Sequence, residues 1–212
     1  MRDLTTSFLN EKEKNRIISC IKEVEKVTSG EIVPMIVSSS HHYSSADVFG
    51  GMALSLFISI LATVIMGTEN MWTFLAIFCV LFIILHEIVK RIPFLKRLFI
   101  SSHEIEHEVK EEAYKSFFKK GIYKTRDHTG ILIFISVFEK KVWVLADTGI
   151  NNKVGPGVWN DIITIIINGI KEGKQGEAIC SAIKKCSEIL KDHFPVRSDD
   201  IDELDNLIIE KS

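Results

Sequence analysis

Two aspartates flank a pair of neighbouring apolar runs, and they are the first candidates for chemistry. Asp127 precedes the run 129–137 and Asp147 follows the run 141–146, both of strand length. If these strands pair as a hairpin, the two carboxylates lie at one edge of a sheet. There they can hold Ca²⁺ or Mg²⁺ through oxygen ligands, or one of them can attack a phosphoryl group. Aspartate also caps turns, so a purely structural role is the alternative.

A possible anion site follows directly after this region. Lys153 and the turn Gly155-Pro156-Gly157 stand immediately before a helix predicted to begin at Val158. Free backbone N–H groups at a helix start, with a lysine nearby, can receive an anion or a phosphate group. The same Gly-Pro-Gly is also an ordinary turn into a helix. As a hypothesis, a phosphoryl ligand would be bounded by this helix start and the two aspartates.

The segment His103-Glu104-Ile105-Glu106-His107 matches H-E-x-x-H, the helical signature of zinc proteases. That chemistry needs both imidazoles on one helix face, a glutamate base and a third ligand elsewhere. Ile105, Val109 and Ala113 predict the buried face, which leaves His103 and His107 on the opposite, charged side. We therefore expect no protease here, and at most adventitious Zn²⁺ or Ni²⁺ binding by this pair.

The elements that must position these residues alternate between helices and strands. Asn10-x-x-Glu13 has the form of a helix cap, Gly30 supplies the stop, and residues 31–38 form a short apolar strand. Ser101-x-x-Glu104 opens another amphipathic helix, which Gly121 closes. The strands 129–137 and 141–146 and the helices 158–171 and 177–193 complete the pattern. A small mixed sheet with helices packed on it is the α/β fold that accommodates this order.

A hairpin of two apolar segments interrupts this domain. Residues 48–67 contain no charge, and a helix of that length reaches about 30 Å, the hydrocarbon thickness of a bilayer. After the break Thr68-Glu69-Asn70, a second apolar run covers residues 71–89. Two membrane spans joined by so short a break must return to the side from which they started. The alternative is a pair of buried helices in a soluble protein.

The basic residues predict the orientation of this hairpin. The break carries no Lys or Arg, whereas residues 88–99 carry four, and basic residues favour the cytoplasmic side. The first fifteen residues lack the apolar core of a secretory signal. We expect both termini and the soluble domain in the cytoplasm, and two spans in the cytoplasmic membrane, so that the lipid bilayer is the first partner.

The predicted organisation has four parts. Residues 1–47 form the first part of the α/β domain, residues 48–92 the transmembrane hairpin, and residues 93–194 the remainder of the domain. Residues 195–212 form an acidic tail that is either solvated or docks through Leu204, Leu207 and Ile208.

Composition narrows the class of protein further. Lys and Arg number 26 against 28 Asp and Glu, which gives a net charge of -2. Because a dedicated nucleic-acid binder needs a basic excess, this composition excludes that class of protein. The four cysteines form no C-x-x-C motif, and Cys180 and Cys186 point apart on one predicted helix. Reduced, buried thiols are the expectation.

Three stretches resemble TPM domains, a family that includes thylakoid-lumen, photosystem-repair and receptor-modulating proteins. Residues 28–33 (TSGEIV) are similar to the first helix-to-strand junction of that family, 126–136 (RDHTGILIFIS) to its central strand, and 139–150 (EKKVWVLADTGI) to the following strand and its exit loop. The chain as a whole resembles a bacterial membrane branch in which a transmembrane hairpin is inserted in the domain and the end is similar to His193-Phe194-Pro195.

The resemblance implies an α/β sandwich and two possible activities. Some TPM domains are reported as acid phosphatases or metal binders, and others are accessory factors for membrane complexes or receptors. No nucleophile signature is shared strongly enough to transfer a mechanism. A membrane-anchored accessory or binding module for membrane-protein complexes is the leading hypothesis. A metal-assisted phosphatase that uses Asp127 and Asp147 is the alternative, with Ca²⁺ or Mg²⁺ as the possible cofactor.

Overall fold

The computed structural model describes residues 3–155, 157–196 and 204–210. The chain divides into two compact units, one formed by His41–Ile105 and the other by Asp3–Ser40 with Glu106–Ser212. We call them the helical unit and the sheet unit. In chain order the elements are α1 (Thr5–Phe8), α2 (Glu11–Val24), β1 (Glu31–Val37), α3 (Ser44–Ile65), α4 (Met71–Arg91), α5 (Pro93–Arg97), α6 (Ser102–Lys119), a 3-10 helix (Ile122–Lys124), β2 (Gly130–Ser136), β3 (Lys141–Ala146), α7 (Thr148–Asn151), α8 (Val158–Lys171), α9 (Gln175–Leu190) and β4 (Ile208–Glu210).

The predicted helix caps are present. Asn10 and Glu13 form a reciprocal capping box at the start of α2: the Glu13 N–H donates to Asn10 Oδ1 at 3.0 Å, and the Asn10 N–H donates to Glu13 Oε2 at 2.9 Å. At the start of α6, the Glu104 N–H donates to Ser101 Oγ at 3.1 Å. Both side chains satisfy N–H groups that a helix leaves unpaired at its first turn.

The sheet unit is built on a four-stranded mixed sheet in the order β3-β2-β1-β4. β1 pairs in parallel with both β2 and β4, and β2 pairs antiparallel with β3 in the register Ile131↔Ala146 to Ser136↔Lys141. The hairpin and the small mixed sheet predicted from the sequence are confirmed. All residues of β1 and β2 are buried, which explains why both strands are mostly apolar and do not alternate between apolar and polar residues.

The end of the acidic tail joins the sheet. Ile208–Glu210 forms β4, whose register pairs Met35 with Ile208 and Val37 with Glu210. Of the two expectations for residues 195–212, docking therefore describes this end, while 197–203 and 211–212 lie outside the described residues. Pro34 lies one residue before the pairing with β4, where its missing N–H removes no bond to that strand.

Helices α2, α8 and α9 cover one face of the sheet and bury the main core. The core is apolar on both sides of this contact, as expected for a sheet packed under amphipathic helices. Its buried members include, from the sheet, Ile32, Ile36, Ile131, Ile133 and Ile135, and from the helices, Ile17, Ile21, Ile162, Ile166, Ile179 and Ile183.

The helical unit is dominated by the antiparallel pair α3 and α4. Gly51, Ser55 and Ser59 are buried at four-residue spacing, and a Cβ at Gly51 would lie 2.8 Å from His86 Cα. Small residues at this spacing let two helices approach closely in a bilayer. The outer faces are apolar and exposed, with Ile65 76% and Ile83 71% accessible.

The first span begins earlier than the uncharged segment indicates, at Ser44 rather than at 48. Asp47 can lie in the first turn of α3 because Lys96 Nζ contacts its Oδ2 at 3.0 Å and also donates to the His42 carbonyl at 2.5 Å. Both α3 and α4 are long and apolar enough to cross a membrane, which suggests a membrane protein. The side on which the termini lie stays a prediction.

Candidate functional site

Asp147 occupies the junction between β3 and α7, where it caps the helix. Its Oδ1 accepts from the Thr148 N–H at 2.6 Å and from Thr148 Oγ1 at 3.2 Å. Its Oδ2 lies 3.2 Å from His128 Nδ1. The residue is buried, so the position of its carboxylate is set by these contacts. The capping role weighed for Asp147 is present, and an imidazole contact is added to it.

Asp127 and His128 lie at the same end of the β2–β3 hairpin as Asp147. The Asp147 N–H donates to the Gly130 carbonyl at 2.9 Å, which ties the exit of β3 to the entry of β2. A Cβ at Gly149 would come within 2.6 Å of the carbonyl oxygens of both Asp127 and His128, so this close approach requires glycine. We call the group Asp127, His128 and Asp147 the aspartate edge.

The side chains of this edge differ in exposure. Asp127 is exposed, and the His128 side chain is 61% accessible, while the Asp147 side chain is only 8% accessible. His128 has a left-handed backbone with φ 55°, which is uncommon for a residue with a side chain. The sequence reasoning singled out both aspartates and missed His128, although its position between Asp127 and the strand was the available signal.

The donor set of this edge suits an exposed, largely hydrated cation. Two carboxylates are available, but both oxygens of Asp147 already have partners, and Ca²⁺ normally takes six to eight oxygen ligands. Mg²⁺ keeps several waters and binds through one or two carboxylates, which is the chemistry this edge offers. Asp127 and Asp147 would hold such an ion, and it would place positive charge at the surface.

The anion-site candidates lie in the segment before α8. Gly155 and Gly157 are exposed, and Pro156 lies outside the described residues. Lys153 Nζ lies 4.6 Å from the centroid of the Phe194 ring and 3.5 Å from the His193 carbonyl oxygen. Lys153 therefore contacts the end of the α9 region, and Asp161 adds a negative charge in the first turn of α8.

The two histidines of the H-E-x-x-H segment are exposed on α6, while Ile105 and Val109 are buried, as the helical spacing predicts. His107 Nδ1 lies 3.9 Å from Glu108 Oε1 and 3.8 Å from Glu111 Oε2, a loose group that could hold a metal ion. An exposed group of this kind is a common surface feature of charged helices.

A second polar cluster, which the sequence did not indicate, lies at the opposite end of the β2–β3 hairpin, at the turn between these two strands. Glu139 is fully buried; its Oε1 accepts from Ser39 Oγ at 3.0 Å and from the Ser40 N–H at 2.9 Å, and its Oε2 accepts from Ser136 Oγ. We call Glu139 with these three serines the glutamate edge. It joins the carboxyl ends of the parallel strands β1 and β2.

Two of the buried cysteines, Cys180 and Cys186, are poor candidates for a nucleophile. All four thiols are free, and Cys20, Cys180 and Cys186 are buried. Burial, and to a smaller extent the hydrogen bond with Cys20, raises the pKa of Cys180 to about 12. Burial also raises the pKa of Cys186 to about 12. A thiol that stays protonated is a poor nucleophile.

Comparison with known proteins identifies the domain. Residues 97–189 match the family model described as the TPM domain, which covers α6 to α9 with β2 and β3 between them. Residues 97–189 are therefore similar to the TPM domain, and the resemblance predicted from the sequence is confirmed over this range. The junction at residues 28–33 lies before the matched range, but β1 pairs with β2 along its full length.

A solved structure is similar over nearly the whole chain. The NMR structure of BA42 protein from the psychrophilic bacterium Bizionia argentinensis matches with a TM-score of 0.59 and 22% sequence identity, covering 97% of this chain and 96% of that chain. At this identity the likeness shows the fold alone. None of the curated proteins matches the chain.

Proposed function

We propose that this protein is a membrane-anchored binding module for membrane-protein complexes, and that the aspartate edge is its contact surface. The observation that carries the proposal is the exposure of that edge. Asp127 and His128 face solvent, whereas a catalytic site normally excludes water from its reacting groups. An exposed polar group on the rigid end of a sheet is suited to contact another protein or a hydrated cation.

The anchor supports the same role. Two apolar helices, α3 and α4, interrupt the domain, and a domain held at a bilayer meets other membrane proteins at high effective concentration. Mg²⁺ bound by Asp127 and Asp147 would let the edge attach to an acidic partner surface.

Crosslinking in native membranes tests this proposal. With a homobifunctional amine crosslinker, we expect one reproducible heteromeric adduct of the full chain. The adduct should weaken when Asp127→Asn is introduced and persist in Lys185→Gln, a surface change far from the edge in sequence. Recovery of monomer alone would count against the binding module.

The second candidate is a metal-assisted phosphoric ester hydrolase, and the pair formed by His128 and Asp147 favours it. Asp147 Oδ2 orients the imidazole, and Asp127 next to it could act as nucleophile while the imidazole donates a proton to the leaving oxygen. Hydrolysis of a phosphate monoester by the purified protein, with EDTA, Ca²⁺, Mg²⁺ and Zn²⁺ compared, decides between the two. Metal-dependent turnover lost in both Asp127→Asn and Asp147→Asn would establish the enzyme.

We further propose that the soluble domain lies in the cytoplasm, because four basic residues follow the second span and none lies in the break between the spans. Single cysteines introduced at Glu69 and at Glu188 should label from opposite sides of the membrane. Labelling of Glu69→Cys from the cytoplasmic side would reverse this topology.

A further inference from the structure

A groove of about 380 Å³ opens on the sheet unit away from the aspartate edge. Its floor is formed by Ile135 and Val142, and its walls by the half-buried side chains of Phe8, Val137, Ile167 and Ile170. The volume falls in the range of about 300–1,000 Å³ that is typical of small-molecule sites, which are mostly apolar.

The charged residues that line this groove are all lysines: Lys140, Lys141 and Lys171. Lys140 and Lys171 are exposed, and within the described part of the chain neither forms an ion pair. Lys141 Nζ lies 3.7 Å from Glu106 Oε2, with the two side chains 40% and 60% accessible. Glu172, next to Lys171, pairs with Lys174. The ammonium groups of at least two lysines are therefore available to a ligand.

The floor presents little polarity to such a ligand. Ser136 is the one hydroxyl residue in the lining, and its Oγ donates to the buried Glu139. The charge of Glu139 is itself met by Ser39 Oγ and the Ser40 N–H. The groove thus combines an apolar trough with a cationic mouth.

We infer that this groove binds a single-chain amphiphile with an anionic head, such as a fatty acid or a lysophospholipid. The apolar walls would bury the acyl chain, and the lysine ammonium groups would contact the carboxylate or phosphate. Molecules of this kind are available to a chain whose two apolar helices suggest residence in a membrane. The inference does not depend on the function proposed for the aspartate edge.

Photolabelling of the full chain in phosphatidylcholine nanodiscs tests the inference. The probes are a diazirine fatty acid, a diazirine lysophosphatidic acid and a diazirine fatty alcohol with the same tail, and labelled peptides are located by mass spectrometry. We expect both anionic probes to label peptides that contain Val142 or Ile167, and the alcohol to label them several-fold less. Whichever anionic probe labels more strongly identifies the preferred head group.

Two variants make the result specific. Ile167→Trp fills the trough and should reduce groove labelling at least about tenfold. Lys140→Glu combined with Lys171→Glu should reduce labelling by the anionic probes and leave that by the alcohol unchanged. Lys22→Glu, a charge reversal at an exposed position of α2, is the control. Circular dichroism checks that each variant is folded, and Ile170→Trp replaces Ile167→Trp if the latter does not fold.

Three outcomes would overturn the inference. The first is labelling confined to α3 and α4, and the second is groove labelling that Ile167→Trp leaves unchanged. The third is a chain that forms an oligomer which Ile167→Trp dissociates, because the groove would then be covered by a second copy.

Discussion

The two edges of the sheet carry acidic residues in opposite settings. At the glutamate edge, Glu139 is fully buried and enclosed by two serine hydroxyls and one backbone N–H. At the aspartate edge, Asp127 and His128 are exposed, and only Asp147 is buried. The first arrangement uses a carboxylate to join strands, and the second presents one to solvent.

We therefore expect the buried carboxylate to contribute to the stability of the fold and the exposed carboxylate to contribute to binding. A buried carboxylate is tolerated when hydrogen bonds satisfy it, and removing it leaves its donors unpaired. An exposed carboxylate contributes little to folding. Substitutions at the two edges should therefore have nearly opposite consequences.

The largest effect on stability is expected at the glutamate edge. Glu139→Ala should lower the free energy of unfolding by about 3 kcal/mol, because three donors lose a charged acceptor inside the protein. Urea unfolding of the full chain in nanodiscs, followed by tryptophan fluorescence, measures this change. Glu188→Ala, at an exposed position of α9, is the matched control, and an equal loss in both variants would remove the distinction between buried and exposed acids.

Gly149→Ala should disturb the aspartate edge through the backbone. The added Cβ would lie 2.6 Å from two carbonyl oxygens, so the loop with Asp127 and His128 must move, at a cost of about 1–3 kcal/mol. Calcium and magnesium titration calorimetry should show weaker binding as well. Gly155→Ala, at an exposed glycine where a Cβ meets no atom within 4 Å, should alter neither property.

Asp147→Ala should have an intermediate effect on stability. It removes the cap of α7, which is worth about 1 kcal/mol, and it releases His128 from its carboxylate partner. The His128 ring should then gain rotational freedom that NMR line shapes detect. Asp147→Asn keeps an oxygen for the Thr148 N–H, so a loss of stability as large as that of alanine would argue against the capping account.

Asp127→Asn should leave stability almost unchanged, within about 0.5 kcal/mol, because the side chain is exposed. Divalent cation binding should nevertheless weaken about tenfold or more, since one of two carboxylate ligands loses its charge. An unchanged affinity in calorimetry would show that Asp127 does not bind the cation. The aspartate edge would then retain only its proposed role as a contact for a protein partner.

The parts of this account that the sequence predicted are those encoded locally. The capping box of Asn10 and Glu13 spans four residues, and the β2–β3 hairpin joins two apolar runs that are neighbours in the chain. The joint position of Asp127 and Asp147 at one end of that hairpin follows from the same pairing. Each of these features depends on contacts over short separations.

The parts that the sequence did not predict depend on distant contacts. Ser39 and Glu139 are 100 residues apart, and they meet only because β1 and β2 pair in parallel. Asp47 lies in the first turn of α3 because Lys96, 49 residues later, contacts it. β4 is only three residues long and follows an acidic segment of the chain, so its strand conformation comes from pairing with β1.

The central claim is that the aspartate edge, and not the glutamate edge, contacts a protein partner. Photocrosslinking in native membranes tests it directly, with benzoylphenylalanine placed at the exposed Thr148 in one variant and at the exposed Lys140 in the other. The account predicts a reproducible protein adduct from position 148 and none from position 140. Equal adducts from both positions, or a protein adduct from position 140 alone, would contradict it.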